Sequence, residues 1–217
     1  MNYLAIDTAN EYMTVLAVKD GKETRSFLPD CAMRHSVALM TEVDRVLKQA
    51  ELTLSACDFF ACVVGAGSFT GIRIGISTVK GFCLACGKPA LPVTSFDLSA
   101  YNALEGAKKP LLSLVDAGHG AYYACAYDGE GNVLAEPEYL TEEEVVRKSA
   151  EGFSLVAAVN AGKELPIARQ TPVALFDPAQ GLRVAVEKKA KAGAFADLQA
   201  VYVRKSSAEL NLAQKKA

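Results

Sequence analysis

Two stretches of the chain resemble each other and decide the fold. Residues 4–21 read LAIDTANEYMTVLAVKDG, and residues 112–129 read LSLVDAGHGAYYACAYDG. Each contains an apolar strand that ends in an aspartate (Asp7, Asp116), then small residues, an alternating strand and the turn dipeptide Asp-Gly. One interpretation is that any two β-hairpins look alike. The other is a duplicated α/β fold, in which each half opens with a strand, an aspartate and a hairpin.

The second interpretation resembles the superfamily of sugar kinases, Hsp70 and actin, in which two facing domains each hold a mixed sheet flanked by helices. The resemblance implies an N-terminal domain over residues 1–105 and a smaller C-terminal domain over residues 106–204. It also implies a C-terminal helix over residues 205–217 that packs back on the first domain. In that superfamily the aspartate after the first strand holds the metal and phosphates of a nucleotide, and carboxylates are suitable Mg²⁺ ligands.

Composition excludes several classes of protein. The chain has 217 residues, only two histidines and a formal net charge of -2. Two histidines rule out a histidine-rich metal site, and the near-zero charge disfavours direct nucleic-acid binding, which normally uses a basic face. No apolar run approaches the roughly 20 residues of a membrane span, and the start MNYLAIDTAN does not resemble a signal peptide. We therefore expect a cytoplasmic protein whose six cysteines are reduced and mostly fill the core.

The strongest local motif is the glycine-rich stretch GAGSFTGIRIGISTVKGF at residues 65–82. Its first glycines allow a tight turn between a strand and a helix, and a helix N-terminus presents free N–H groups to an anion. The motif matches neither a P-loop nor a dinucleotide-binding fingerprint. A structural turn and a vestigial phosphate site both remain open. The residues of the candidate anion site are Asp7, Thr8, Gly65, Gly67, Ser68 and Asp116.

The helix that follows, predicted over residues 70–86, carries three glycines that each cost on the order of 1 kcal/mol relative to alanine. Close approach of another backbone is the simplest reason for them. An earlier helix, predicted over residues 33–50, has its apolar residues at helical spacing on one face. Packing within the core and packing across a subunit interface are equally compatible with both patterns.

The motifs together resemble one family. The segment GAGSFTGIRIG (65–75) closely resembles GPGSFTGLRIG, the signature of the TsaB family, also called YeaZ, which belongs to the bacterial machinery that makes threonylcarbamoyladenosine in tRNA. AIDTA (5–9), RHSVALMTEVDRVL (34–47) and AVYVR (200–204) are similar to further family motifs in the same order. The second half opens with Asp-Ala as in the family, but Gly118 and His119 replace the basic residues that usually follow.

The resemblance implies a non-catalytic subunit rather than an enzyme or a peptidase, despite the glycoprotease label of the wider family. The related catalytic subunit, TsaD, carries an HxxxH metal motif, whereas here His35 is followed four residues later by Leu39. The alternative function is a stand-alone ATP-dependent enzyme of the kinase–actin superfamily.

The implied partners are a TsaD-like catalytic subunit and a TsaE-like ATPase, with a homodimer when the chain is alone and no membrane. The complex would transfer threonylcarbamoyl to the adenosine beside the anticodon of ANN-reading tRNAs. tRNA, ATP or ADP and Mg²⁺ would bind only at the assembled complex. The interface is predicted to lie on the two N-terminal helices, at Leu39, Val43, Val46, Gly71, Ile72, Gly75, Ile76, Val79 and Phe82.

Overall fold

A computed structural model describes residues 1–31, 34–104 and 109–204 and contains two five-stranded sheets. The first sheet has the order β3-β2-β1-β4-β5 and the strands β1 (Tyr3–Asp7), β2 (Met13–Lys19), β3 (Lys22–Leu28), β4 (Phe59–Val63) and β5 (Ala90–Val93). The second has the order β10-β9-β6-β7-β8 and the strands β6 (Leu111–Gly118), β7 (Ala121–Tyr127), β8 (Glu138–Thr141), β9 (Ser154–Ala158) and β10 (Val173–Phe176).

The two sheets have the same topology. In the first, β1 pairs antiparallel with β2 and parallel with β4, and in the second β6 pairs antiparallel with β7 and parallel with β9. The outer strands repeat the pattern, since β3 and β8 are antiparallel to their neighbours while β5 and β10 are parallel to theirs. The duplication of a mixed sheet, predicted from the paired strand–aspartate–hairpin motifs, is confirmed.

Among the described residues, five α-helices flank the sheets: α1 (His35–Gln49), α2 (Phe69–Cys86), α3 (Asp97–Ala103), α4 (Glu142–Ala150) and α5 (Pro178–Lys191). The helices α1 and α2 share one apolar core with the first sheet, built around Leu4, Ile6 and Phe60. The other face of that sheet packs against α5 through Leu182, Ala185 and Val186. We call the first sheet with α1, α2 and α5 the first lobe, and the second sheet with α3 and α4 the second lobe.

The helices α3 and α5 pack across the predicted boundary between residues 105 and 106. The helix α5 lies late in the chain but packs on β5, β1 and β2, whereas α3 lies early and packs on β9, β6 and β10. The two helices also contact each other, and a Cβ atom added at Gly181 of α5 would lie 2.5 Å from the carbonyl oxygen of Leu98 in α3. Each sheet is thus contiguous in sequence, but the packed lobes exchange a helix.

The helices predicted over residues 33–50 and 70–86 begin and end within two residues of the observed α1 and α2. Two helix starts have clear local causes. Ser68 accepts a hydrogen bond from the N–H of Gly71 and begins α2, and Thr141 forms a reciprocal capping box with Glu144 that begins α4. The prediction of elements missed β5, α3 and β8, whose patterns are short. The predicted helix over 205–217 lies outside the described residues.

The helix α2 is long and apolar enough, by length and composition alone, to cross a membrane. It is the one such helix found among the described residues. In the structure it packs against β4, β1 and β5, and its residues Ile72 and Val79 are fully buried in the lobe. The fold therefore uses α2 as a packing helix of the first sheet.

Candidate functional site

A cleft of about 530 Å³ separates the two lobes. The first lobe contributes Glu11, His35 and Ser68 to its walls, and the second contributes Asp116 and Tyr123. The N-terminus of α2 also opens into it, because Thr70 and Gly71 line the same cleft. This is the region where the sequence predicts an anion site.

Asp7 and Asp116 occupy equivalent positions in the two lobes. In each, Oδ1 accepts a 2.8 Å hydrogen bond from the backbone N–H two residues later, that of Ala9 or Gly118. Their surroundings differ, since Asp7 is completely buried whereas Asp116 is exposed and lines the cleft. Burial raises the pKa of Asp7 to about 6, an effect that the N–H of Ala9 only partly offsets. Of the two aspartates, Asp116 is the one that faces the cleft.

Backbone atoms of the chain itself occupy the space beside the glycine loop. A Cβ atom added at Gly65 would lie 2.3 Å from the carbonyl oxygen of Val201, and one added at Gly67 would lie 2.1 Å from that of Ala9. Both glycines also have positive φ angles, of 122° and 146°. The glycines are therefore required by the close approach of two chain segments. The sequence left two interpretations open, a structural turn and a phosphate site, and this geometry supports the structural turn.

The polar groups of the loop are likewise committed within the chain. The N–H of Ser68 donates to Ala9 at 2.6 Å, and the carbonyl of Gly65 accepts from the N–H of Ser95 at 2.6 Å. The hydroxyl of Thr8 donates to the carbonyl of Gly71 at 2.7 Å. The bond from Ser68 occupies one N–H group that could otherwise bind a phosphate, whereas the other two bonds use carbonyl oxygens, which do not bind anions. The anion site therefore stays a prediction.

His35 begins α1 and is almost completely buried. Its Nε2 atom lies 3.1 Å from the carbonyl oxygen of Tyr12, which fixes the ring against the β1–β2 turn. Leu39, one turn later, belongs to the apolar core. Among residues 1–31, 34–104 and 109–204, no group of three histidine, cysteine, aspartate or glutamate side chains is arranged to hold a metal.

The costly glycines of α2 lie against β1 of the same chain. A Cβ atom at Gly71 would lie 2.0 Å from the carbonyl oxygen of Thr8, and one at Gly75 would lie 2.6 Å from the hydroxyl of Thr8 and 3.2 Å from the sulfur of Cys62. Gly81 differs, because a Cβ atom there would meet nothing within 4 Å. Packing inside the first lobe therefore explains two of the three glycines. The sequence alone was equally compatible with packing in the core and packing at a subunit interface.

The residues predicted for the partner interface point inward. Eight of them are buried and one, Ile76, is half-buried; the eight are Leu39, Val43, Val46, Gly71, Ile72, Gly75, Val79 and Phe82. The apolar side chains fill the core of the first lobe and the two glycines lie against Thr8, so a partner that docks on this conformation would contact their exposed neighbours instead. The interface on the two helices stays a prediction, but we now expect the exposed residues of these helices, rather than the buried ones, to contact the partner.

Large apolar side chains stay exposed on α1 and α2, and we call the outer surface of these two helices the open face. Val37, Met40 and Leu84 are 79%, 52% and 88% exposed, although they are large and apolar. A groove of about 550 Å³ runs between the two helices beside Met40 and Ser77. Sequence periodicity places Met40 on the apolar face of α1 with Leu39 and Val43, and the structure corrects this, because Met40 lies at the edge of that face and is exposed. Val37 and Leu84 carry no periodic signal that would have marked them as exposed.

The cysteines support the expectation that they fill the core. All six are free thiols, four of them buried and two, Cys83 and Cys86, half-buried. Burial raises the pKa of Cys57 to about 12 and also raises the pKa of Cys83. Thiols with raised pKa values are poor nucleophiles at neutral pH.

A buried polar cluster that the sequence did not reveal joins the lobes. Asp97, 2% exposed at the start of α3, accepts a hydrogen bond from the hydroxyl of Tyr127 at 2.9 Å and lies 3.0 Å from the ammonium of Lys189 in α5. The backbone N–H of Thr94 also donates to it at 2.7 Å. Three elements from both halves of the chain therefore meet at one carboxylate.

Comparison with known proteins identifies relatives of the whole arrangement. A family model described as TsaD, tRNA N6-adenosine threonylcarbamoyltransferase, matches residues 18–212. The TsaB protein of Escherichia coli, a tRNA threonylcarbamoyladenosine biosynthesis protein, is 30% identical over 159 residues, which cover 71% of this chain and 68% of the relative. Alignments with three further TsaB proteins span between 44% and 59% of their lengths.

Solved structures agree with the sequence relatives. YeaZ from Pseudomonas aeruginosa superposes with a TM-score of 0.73 and 25% identity, covering 94% of this chain and 99% of that one. A second Pseudomonas aeruginosa structure, of a protein with similarity to peptidase YeaZ, has a TM-score of 0.74 and 26% identity, with coverage of 94% and 99%. The duplicated sheets, the glycine turn packed on β1 and these relatives agree, and the chain belongs to the TsaB (YeaZ) family.

Proposed function

We propose that this chain is a non-catalytic subunit for the synthesis of threonylcarbamoyladenosine in tRNA, and that it scaffolds and activates a TsaD-like catalytic partner. tRNA, ATP or ADP and Mg²⁺ act at the assembled cytoplasmic complex, which also includes a TsaE-like ATPase. The support from relatives is the TsaB name of the curated proteins and the match to a TsaD family model.

The observation that carries the proposal is the open face of α1 and α2. Val37, Met40 and Leu84 expose large apolar surface on neighbouring helices, and docking would remove that surface from water. The small exposed residues Ser77 and Gly81 lie on the same helix as Leu84, where they allow a partner backbone to approach closely. The same face would form a homodimer when the partner is absent.

The cleft side of the first lobe supports a role without chemistry of its own. His35 is held by the carbonyl of Tyr12, and the position one turn later is a core leucine. The space beside Gly65 and Gly67 holds the backbone of Val201 and Ala9. These features weigh against the alternative of a stand-alone ATP-dependent enzyme, which needs a nucleotide site in this chain. Titration of the isolated protein with ATP and Mg²⁺ tests the alternative directly, and micromolar binding would favour it.

The experiment that tests the docking face is co-purification and titration with a TsaD-like protein. We expect Met40→Asp and Leu84→Asp each to weaken binding at least about tenfold, because a charge would be buried against an apolar partner. Leu134→Asp is the matched control, since Leu134 is 53% exposed, close to the 52% of Met40, but lies on the second lobe. Unchanged binding by both α1 and α2 variants would exclude this face. Sedimentation of the same variants alone tests the homodimer.

A further inference from the structure

The two lobes are joined firmly along one side. Gly181 brings α5 into backbone contact with α3, and the buried carboxylate of Asp97 binds Lys189 and Tyr127 at the same junction. Tight packing and a buried ion pair resist separation. Any opening of the cleft therefore has this junction as its pivot.

One loop of the second lobe, residues 159–165, contacts the first lobe across the cleft. Lys163 lies 2.6 Å from the carboxylate of Glu11 in the β1–β2 turn. The side-chain N–H of Asn160 donates to the carbonyl of Pro29 at 2.8 Å. Both contacts link residues more than 130 positions apart, and the backbone bond from Cys31 to Glu11, 2.6 Å, ties together the two segments that they reach.

The contacts between loop 159–165 and the first lobe are weak enough to break and form again. The side chains of Lys163 and Glu11 are 38% and 41% exposed, and ion pairs so accessible to water contribute little to stability. Closure also leaves Oδ1 of Asn160 buried with no hydrogen-bond partner among the described residues, which is unfavourable. Glu11 and Lys163 both line a cavity of about 180 Å³ between the lobes, together with Asp116.

We propose that loop 159–165 is a latch, held by the Lys163–Glu11 pair, that ties the two lobes together across the cleft beside Asp116. Release of the pair lets the lobes separate about the α3–α5 junction. The latch is controlled by ionic conditions or by any cationic group that competes for Glu11, because the bond is screened by salt.

Charge reversal tests the latch on the full-length protein. Hydrogen exchange of the segments 8–12 and 159–165, together with small-angle X-ray scattering, is measured for wild type, Lys163→Glu and the swap Glu11→Lys with Lys163→Glu. We expect Lys163→Glu to raise exchange rates in both segments by about two- to five-fold and to increase the radius of gyration. The swap should restore wild-type values, and high salt should mimic the single variant in wild type.

Arg169→Glu is the matched control, because Arg169 pairs with Glu164 at 3.1 Å within the second lobe and crosses no cleft. It should leave scattering and the exchange of segment 8–12 unchanged. Faster exchange confined to 159–165, with no change in scattering, would show that the loop is only a surface contact and would overturn the proposal. Failure of the swap to restore closure would overturn the pairing of Lys163 with Glu11.

Discussion

The hydroxyl of Thr8 donates to the carbonyl of Gly71, and these two residues are the point at which α2 rests directly on the end of β1. No side chain fits at position 71, because a Cβ atom would lie 2.0 Å from the carbonyl oxygen of Thr8. The AIDTA and glycine motifs, 63 residues apart at this contact, are therefore two sides of one packing arrangement. At this contact, the fold itself requires the glycine of the motif that identifies the family.

Alanine substitutions of the α2 glycines should distinguish the effect of packing on stability from the effect of helix propensity. Gly75→Ala places a methyl group 2.6 Å from the hydroxyl of Thr8, and we expect it to destabilise the protein by roughly 1–3 kcal/mol through overpacking. Gly81→Ala meets nothing within 4 Å and should stabilise it by up to about 1 kcal/mol. Urea unfolding of both variants measures the difference. A stabilising Gly75→Ala would contradict the packing at Thr8.

The buried carboxyl of Asp7 should make stability fall as pH rises. Its pKa of about 6 in the folded protein lies above the ordinary value of 3.8, so the folded state retains the proton longer than the unfolded state. The penalty is absent near pH 4, grows up to about pH 6 and then stays constant, and the shift corresponds to about 3 kcal/mol. Asp7→Asn keeps the acceptor for Ala9 without the charge.

We therefore expect Asp7→Asn to match wild type near pH 4 and to exceed its free energy of unfolding above pH 6. Chemical unfolding at a series of pH values gives the difference curve, in which the titrations of other carboxyl groups cancel. A difference curve that is flat between pH 4 and pH 7 would refute the raised pKa of Asp7.

The carboxylate at the lobe junction should be costly to leave unpaired. Lys189→Met removes the cation that faces Asp97, which is only 2% exposed, and we expect a loss of roughly 3 kcal/mol. Tyr127→Phe removes one hydrogen bond to the same charged group and should cost about 1.5–3 kcal/mol. Lys48→Met, which removes the highly exposed partner of Asp44, should have no measurable effect on the same thermal or urea unfolding.

The crossing of α3 and α5 should not tolerate a side chain at Gly181. A Cβ atom there would lie 2.5 Å from the carbonyl oxygen of Leu98, and backbone cannot move aside as a flexible side chain can. We expect Gly181→Ala to lower the free energy of unfolding by roughly 1–3 kcal/mol. Scattering that also shows a changed arrangement of the lobes would place the damage at the junction. Stability equal to wild type would show that the helices separate easily.

Much of the architecture follows from local patterns. The repeated strand–aspartate–hairpin predicts both sheets, and the apolar stripe with Leu39 and Val43 predicts α1. The sequence Thr141-Glu-Glu-Glu, with acidic residues in the first turn, predicts the start of α4. The missed elements β5, β8 and α3 have four to seven residues each, too few for a period to show. The residues of the candidate site were harder to predict, because the exposure of a side chain depends on contacts with residues that are far away in the sequence.

The sequence by itself determined the duplicated fold class, the positions of the long elements and the membership of a family, since these depend on periodicity and motif order along the chain. Only the tertiary structure decided that the predicted interface residues form the core, that Asp7 is sealed while Asp116 faces the cleft, and that α3 and α5 exchange lobes. Burial is a property of what packs against a residue, and residues such as Val201 and Gly65 that meet in space are far apart in sequence.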